Sequence, residues 1–123
     1  MKTKAEILEG LGNFYGTENY FRVSGRLVLT DGAKYLCTEA ECFWFADIVN
    51  SILCTKPKIR RESFLVAKFE KLGESSGIFR LEDGNYNLLY DQEIPYTDCP
   101  LDKIEVFVEA SRDFHVMLLK SEH

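Results

Sequence analysis

The stretch FLVAKFEKLGESSGIFRLEDGNYNLLYDQEIPY, residues 64 to 96, decides what kind of fold this chain can adopt. It divides into FLVAKFEKL, GIFRLED and NLLYDQEIPY, three strand-length runs enriched in β-branched and aromatic side chains. Asp83-Gly84-Asn85, between the second and third runs, carries residue types that tolerate left-handed backbone, which marks a tight hairpin turn. Two more strand-length runs follow, KIEVFVEA (103–110) and FHVMLLK (114–120). In the former, Ile104, Val106 and Val108 alternate with Glu105 and Glu109, the pattern of a strand with one wet face.

Upstream of residue 64 the apolar spacing lengthens from strand to helix period. Thr3-x-x-Glu6 is a capping box, and Ile7, Leu8 and Leu11 form a stripe that Gly12-Asn13 closes. This first helix is short and contains Gly10, so it needs tertiary packing to persist. Gly16 to Asn19 have turn chemistry; Tyr20 to Val23 and Arg26 to Leu29 read as short strands around Ser24-Gly25. Ala33, Leu36, Cys37 and Ala40 lie on one helical face. CFWFADIVNSIL (42–53) is apolar nearly all round, its polar stripe being Asp47, Asn50 and Ser51, and it reads as the central buried helix. Helices grouped before strands predict one α+β domain over 1–123. N-terminal helices would pack on one face of a mainly antiparallel sheet of about five strands.

A chain of 123 residues that is 46% hydrophobic and 28% charged can bury a core and is globular, not disordered. No apolar run approaches the ~20 residues needed to span a bilayer, and MKTKAEILEG lacks the apolar stretch of a signal peptide. The expected setting is the cytoplasm, away from membranes. Cys37, Cys42, Cys54 and Cys99 contain no C-x-x-C pair, and with two histidines in the chain they argue against zinc. Free, mostly buried thiols are expected instead. Cys37 and Cys42 would sit about 140° apart on a continuous helix. A net charge of −5 argues against nucleic acid and anionic lipid as partners. The basic run Lys56, Lys58, Arg60 and Arg61 then reads as a solvated loop after a helix, suited to the negative end of its dipole.

Several residues could carry chemistry. Thr30-Asp31 has no histidine nearby in sequence to complete a catalytic set, and reads as a helix cap in which Asp31 or Thr30 accepts from the first free amides. Thr97-Asp98 falls on a connection, with Asp98 expected to make an Asx-type turn; Tyr96, Thr97 and Asp98 there present a phenol, a hydroxyl and a carboxylate. Asp47, with Asn50 and Ser51, is either the wet side of its helix or a site against the sheet. Asp91 and Glu93, alternating onto one strand face, match no known cation loop with Asp98, and no metal is expected. Tyr15, Tyr20, Phe21, Tyr35, Phe43 and Trp44 form a dense aromatic set suited equally to a core or to an interface. Nucleotide-binding and hydrolase motifs are absent, so no catalytic residue and no cofactor is expected.

The phrases GTENYFR, LTDGAKYL, Trp44-x-x-Asp47-Ile48 and QEIPYTDCPLDKI resemble those of an uncharacterised family of small bacterial and mobile-element proteins, a domain of unknown function. The resemblance covers most of the chain and implies no reaction or ligand; it suggests only a mobile-element setting with a protein target. The leading expectation is a small cytoplasmic protein-interaction module, not an enzyme. Its contact residues would lie in the loops 15–21 and 84–98, including Tyr20 and Tyr96, forming one recognition edge. The alternative is a domain binding a small polar, nucleotide-like ligand in a pocket between helix 42–53 and the sheet, with Tyr35, Asp47, Asn50 and Asp98 as its polar groups. A homodimer through an exposed strand edge stays open.

Overall fold

A computed structural model describes residues 3–13 and 19–123. Tyr15 and residues 16–18 of the expected turn lie outside the described residues. The meander read from residues 64 to 96 forms β3 (Phe64–Lys71), β4 (Gly77–Asp83) and β5 (Leu88–Ile94), paired antiparallel in that order. Asp83 builds the turn between β4 and β5: its Oδ1 accepts from the amides of Asn85 at 2.8 Å and Asn87 at 3.0 Å, while Tyr86 takes the left-handed conformation at φ 65°. These amides, Asn87 foremost, hold the Asp83 carboxyl below the usual carboxylate range. On its other side β3 pairs with β6 (Lys103–Ala110), and β6 pairs with β7 (His115–Leu118), both antiparallel.

The sheet does not stop there. β1 (Tyr20–Ser24) and β2 (Leu27–Thr30) form a hairpin, and β2 lies parallel to β7, giving the order β1-β2-β7-β6-β3-β4-β5. The sheet is therefore seven-stranded and mixed, where the sequence suggested about five mainly antiparallel strands. The physical reason lies in β2, whose four residues Leu27, Val28, Leu29 and Thr30 are all buried. A strand covered on both faces shows no alternation, which is the pattern of an interior, parallel-paired strand. The long crossover that a parallel pair requires is here most of the remaining chain.

The Thr3 capping box forms as expected and starts α1 (Lys4–Leu11). Thr30 is the N-cap of α2 (Asp31–Glu39): its Oγ1 accepts from Ala33 N–H at 3.2 Å, while the Asp31 carboxylate accepts from the Asn19 amide at 3.1 Å. Of the two alternatives in the sequence, Thr30 is the cap. After α2 the chain turns without glycine. Glu41 sits at φ 52°, Cys42 N–H donates to Cys37 O at 3.0 Å and Glu41 N–H donates to Thr38 O at 3.4 Å, the two bonds of a Schellman motif. The break places Cys37 and Cys42 on one side of a corner, not 140° apart on one helix.

The corner launches α3 (Phe43–Thr55), which buries Phe45, Ala46, Val49, Ile52 and Leu53. Full burial of each large apolar side chain is worth roughly 1.5–3 kcal/mol. Phe45 meets Phe79 edge-on at 5.4 Å between centroids, and Trp44 meets Phe69 at 5.2 Å. Asp47 and Ser51 are exposed, so that side of α3 is wet. Lys56 ends α3 and Pro57 begins a four-residue helix, α4 (Pro57–Arg60). The basic run is thus helical where a loop was expected, because proline at the first position is pre-set for a helix. Arg60 donates to the Leu53 carbonyl at 3.2 Å, answering a free acceptor at the end of α3. No helix among the described residues is long and apolar enough to cross a membrane.

A short turn, Lys120–Glu122, closes onto the start of α2. The buried Glu122 carboxylate accepts from Thr30 Oγ1 at 2.6 Å, Gly32 N–H at 3.1 Å and Leu119 N–H at 3.0 Å. Glycine is required at 32 because a Cβ there would lie 2.5 Å from Glu122 Oε1 and 2.6 Å from Leu119 Cδ1. On the sheet face opposite Phe69, Lys68 bridges Glu82 at 2.9 Å and Glu105 at 3.7 Å.

Candidate recognition surface

Of the concave regions among the described residues, two lie at opposite margins of the sheet. The larger, about 590 Å³, is a groove between the α3–α4 corner and β5, lined by Thr55, Lys56, Pro57, Lys58, Ile59, Glu62 and Leu89. Local sequence explains its form. Lys56 takes a non-helical conformation between two helices (φ −122°, ψ 88°), so α4 turns away from α3 and carries Pro57 and Ile59 toward β5. The walls are mostly apolar and the rim is basic. Lys56 Nζ stands 5.6 Å from the Tyr90 ring centroid, a weak cation–π contact that holds the ammonium over the strand. Among the described residues β5 is the last strand of the sheet, so one row of its backbone groups has no neighbouring strand there, and Leu88 at its start is 54% exposed.

The second groove, about 440 Å³, lies among β1, α2 and α3, with Phe21, Arg22, Val23, Leu29, Lys34, Phe43 and Asp47 as lining. Lys34 Nζ sits 3.9 Å from the Phe21 ring centroid, and Arg22 donates to the Gly25 carbonyl at 2.9 Å. Asp47, on the exposed side of α3, thus stands at the rim of a concave, charged setting.

The other candidate residues are dispersed. Asn50 Oδ1 accepts from Arg26 N–H at 3.1 Å and ties α3 to the β1–β2 turn, where Gly25 adopts φ 52°. The Tyr35 ring packs on α1, so close that a Cβ on Gly10 would lie 2.0 Å from its hydroxyl oxygen; Gly10 therefore admits the ring that docks α1. Tyr20 opens β1 and is 61% exposed. Tyr96, 67% exposed, donates from its hydroxyl to Asp98 Oδ1 at 2.6 Å, and that carboxylate pushes the phenol pKa up. The turn at this point belongs to Thr97, whose Oγ1 accepts from Cys99 N–H at 3.1 Å, not to Asp98. The expected single recognition edge does not form: residues 19–21 and 88–94 sit at opposite margins of a seven-stranded sheet.

A family model matches residues 5–123 of the sequence. The chain belongs to the family of unknown function DUF6876. This DUF6876 chain is similar in fold to a protein of unknown function from Enterococcus faecalis, known from its crystal structure. The TM-score is 0.56 at 14% identity, covering 86% of this chain and 97% of that one. At that identity the likeness concerns the fold alone. No curated protein matches the sequence.

Sequence reasoning did not bring Ile59 and Leu89 together, because each reads as an ordinary apolar residue in its own segment. Pro57 directly after a helical run was the available signal, since it marks a new helix start and hence a corner. Among the described residues, no group of three His, Cys, Asp or Glu side chains is placed to hold a metal ion. His115 is buried against the Glu62 carbonyl, and burial lowers its pKa below the ordinary imidazole range.

Proposed function

We propose that this DUF6876 chain is a protein-interaction module that takes an extended segment of its partner along the outer edge of β5. The observation that carries the reading is the apolar groove beside an unpaired strand edge. A peptide added there would satisfy the free backbone groups of β5 and lower an apolar side chain onto Pro57, Ile59 and Leu89. Lys56 and Lys58 on the rim favour an acidic residue next to that anchor. The reading takes the bacterial cytoplasm as the setting, with the mobile-element association that the family resemblance suggests.

Selection of displayed peptides against the purified protein tests the proposal, with binding mapped by backbone amide NMR shifts. Peptides with an apolar anchor flanked by Asp or Glu should emerge, and shifts should cluster at 55–59 and 88–94. Ile59→Asp should abolish binding, and Lys56→Glu with Lys58→Glu should weaken it about tenfold or more, on the order of 1.4 kcal/mol. Shifts confined to other surfaces would overturn the reading.

A second reading rests on Arg22, Lys34 and Asp47 converging around Phe21 and Phe43. Those groups suit a small polar ligand with both charge signs or with a flat ring. Such a ligand at 100-fold over its dissociation constant would add about 2.7 kcal/mol of stability, lost in Asp47→Asn. A thermal-shift screen of nucleotides and zwitterionic metabolites without any Asp47-dependent shift would set it aside.

A further inference from the structure

β5 divides its side chains between two faces of different charge. Tyr90 lies on the helix-covered face: its ring centroid is 6.4 Å from that of buried Phe79, which in turn meets Phe45 of α3. The Tyr90 hydroxyl donates to Gln92 Oε1 at 2.9 Å, so Gln92 shares that face, as residues two apart on a strand do. Asp91 and Glu93 point the other way, opposite Arg80 and Ile78 in the register with β4. The irregularity beside Leu81 and Glu82 leaves Leu89 as an extra residue between Leu88 and Tyr90. Leu89 packs against the core and lines the groove.

The charges follow the same division. On the helix side Lys56 and Lys58 line the groove, with half-buried Glu62 as its one acid among the described residues. On the far side Asp91 and Glu93 are exposed, and neither is in an ion pair among the described residues. A strand added to β5 alternates its own side chains between these two faces, whichever way it runs. The residue that drops into the groove therefore has sequence neighbours that face away from it. With that anchor opposite Tyr90 or opposite Gln92, one neighbour falls opposite Asp91. An acid there meets a like charge across the ladder, and a base meets an opposite one. The acid that the lysines attract belongs two positions from the anchor, on the anchor's own face.

We propose that the segment taken by β5 is an alternating strand, apolar and acidic on the face toward α4, with Lys or Arg on the face toward Asp91 and Glu93. The inference rests on the edge-docking reading and adds the partner's charge order to it. It sets aside a plainly acidic tail, which would place acids against Asp91 and Glu93 on a chain already at net charge −5. A uniformly basic tail fails on the other face, against Lys56 and Lys58.

The test compares two peptides of identical composition on the full chain, Thr-Glu-Lys-Leu-Lys-Glu-Thr and Thr-Lys-Glu-Leu-Glu-Lys-Thr. Both are palindromic, so the charge order is the same whether the added strand runs parallel or antiparallel. A neutral peptide with serine and threonine around the same leucine is the reference. Fluorescence anisotropy gives affinities, and backbone amide NMR shifts give the place of binding. The first peptide should bind about tenfold or more tighter than the second, with shifts at 55–59 and 88–94. Asp91→Lys with Glu93→Lys, both exposed positions, should abolish or reverse that preference. Equal affinity, or the reverse order, with shifts still on β5 would overturn the charge order and leave edge docking standing. A preference that survives in the doubly substituted chain would likewise overturn it. Failure of all three peptides to bind at β5 would overturn both.

Discussion

Replacing Glu122 by alanine tests the closure of the Lys120–Glu122 turn on α2. The substitution removes the acceptor for the Thr30 hydroxyl and for the Gly32 and Leu119 amides, at 2.6, 3.1 and 3.0 Å. Hydrogen bonds to a charged group contribute about 1.5–3 kcal/mol each, and donors left buried without a partner cost a comparable amount. Water will enter the vacated space and answer part of this, so a net loss of about 3 kcal/mol is expected. For a chain of 123 residues the unfolding entropy near the midpoint is about 0.26 kcal/mol/K, so Tm should fall by about 12 °C. Glu122→Gln keeps one acceptor oxygen but turns a donor toward one of the amides, and should fall roughly halfway between. Gly32→Ala supplies the coupling test, because its Cβ would meet both Glu122 Oε1 and Leu119 Cδ1. In the Glu122→Ala background the carboxylate is gone and only Leu119 must move. The double-mutant cycle should therefore show a coupling of about 1 kcal/mol or more. Calorimetric melts of the four proteins give the answer. A Tm loss under ~3 °C for Glu122→Ala, or strict additivity with Gly32→Ala, would refute the idea that this carboxylate holds the turn to the helix.

Further substitutions probe the corner, the core and the titrating histidine. Glu41→Gly should raise stability by about 0.5–1 kcal/mol, because glycine adopts the left-handed conformation that Glu41 holds at φ 52° without steric cost; an unchanged or lowered midpoint in urea would contradict that. Phe45→Ala empties the contact with Phe79 and should cost about 3–5 kcal/mol in the same urea titration, and a loss under 1.5 kcal/mol would mean the α3–sheet packing is looser than described. Folded His115 takes its proton below the 6.5 of the unfolded chain, mainly through burial, with Arg26 and Arg60 adding to the depression. The unfolded chain therefore binds more protons as pH falls through 6.5, and stability should decline from there until the folded imidazole is protonated. His115→Gln should flatten this slope between pH 7 and pH 5, and an identical slope in that variant would remove His115 as its source.

The parts of the fold that were legible in sequence are those whose pattern is local. Ile104, Val106 and Val108 alternate with glutamates, and Asp83-Gly84-Asn85 has turn chemistry, so β6 and the β4–β5 hairpin follow from neighbouring residues. β2 is different: LVLT is too short and too uniformly apolar to show a period, and its parallel partner β7 comes near the other end of the sheet-forming sequence. The Schellman corner was hidden because Glu41 occupies a position where glycine is the usual signal. α4 is a single turn, which no periodicity can reveal, although Pro57 announces it. Thr97 and Asp98 can both accept from a nearby amide, and backbone geometry, not residue type, chose Thr97. The site was less legible than the fold for the same reason. Asp47 was visible as a break in an apolar run, whereas Ile59 and Leu89 acquire meaning only when α4 turns toward β5.

The two margins of the sheet are not equally suited to pairing, and this bears on self-association. β1 has five residues and an irregular register between Arg22 and Ser24, which twists an edge away from a straight partner. β5 has seven residues, with its bulge confined to the end near Glu82, so it is the edge an extended segment can follow. Asp91, Gln92 and Glu93 along it are exposed. An antiparallel pair of two β5 strands would bring these carboxylates close to one another, and like charges opposite one another in a ladder destabilise it. An acidic peptide residue escapes that conflict only where it faces Lys56 and Lys58 and not Asp91 or Glu93. The chain should accordingly stay monomeric by light scattering at about 100 µM, while Asp91→Asn with Glu93→Gln should shift it toward dimer. A dimer of the unsubstituted chain with β5 amides protected from hydrogen exchange would show that the carboxylates do not guard this edge, and would make a second copy the natural occupant of the groove.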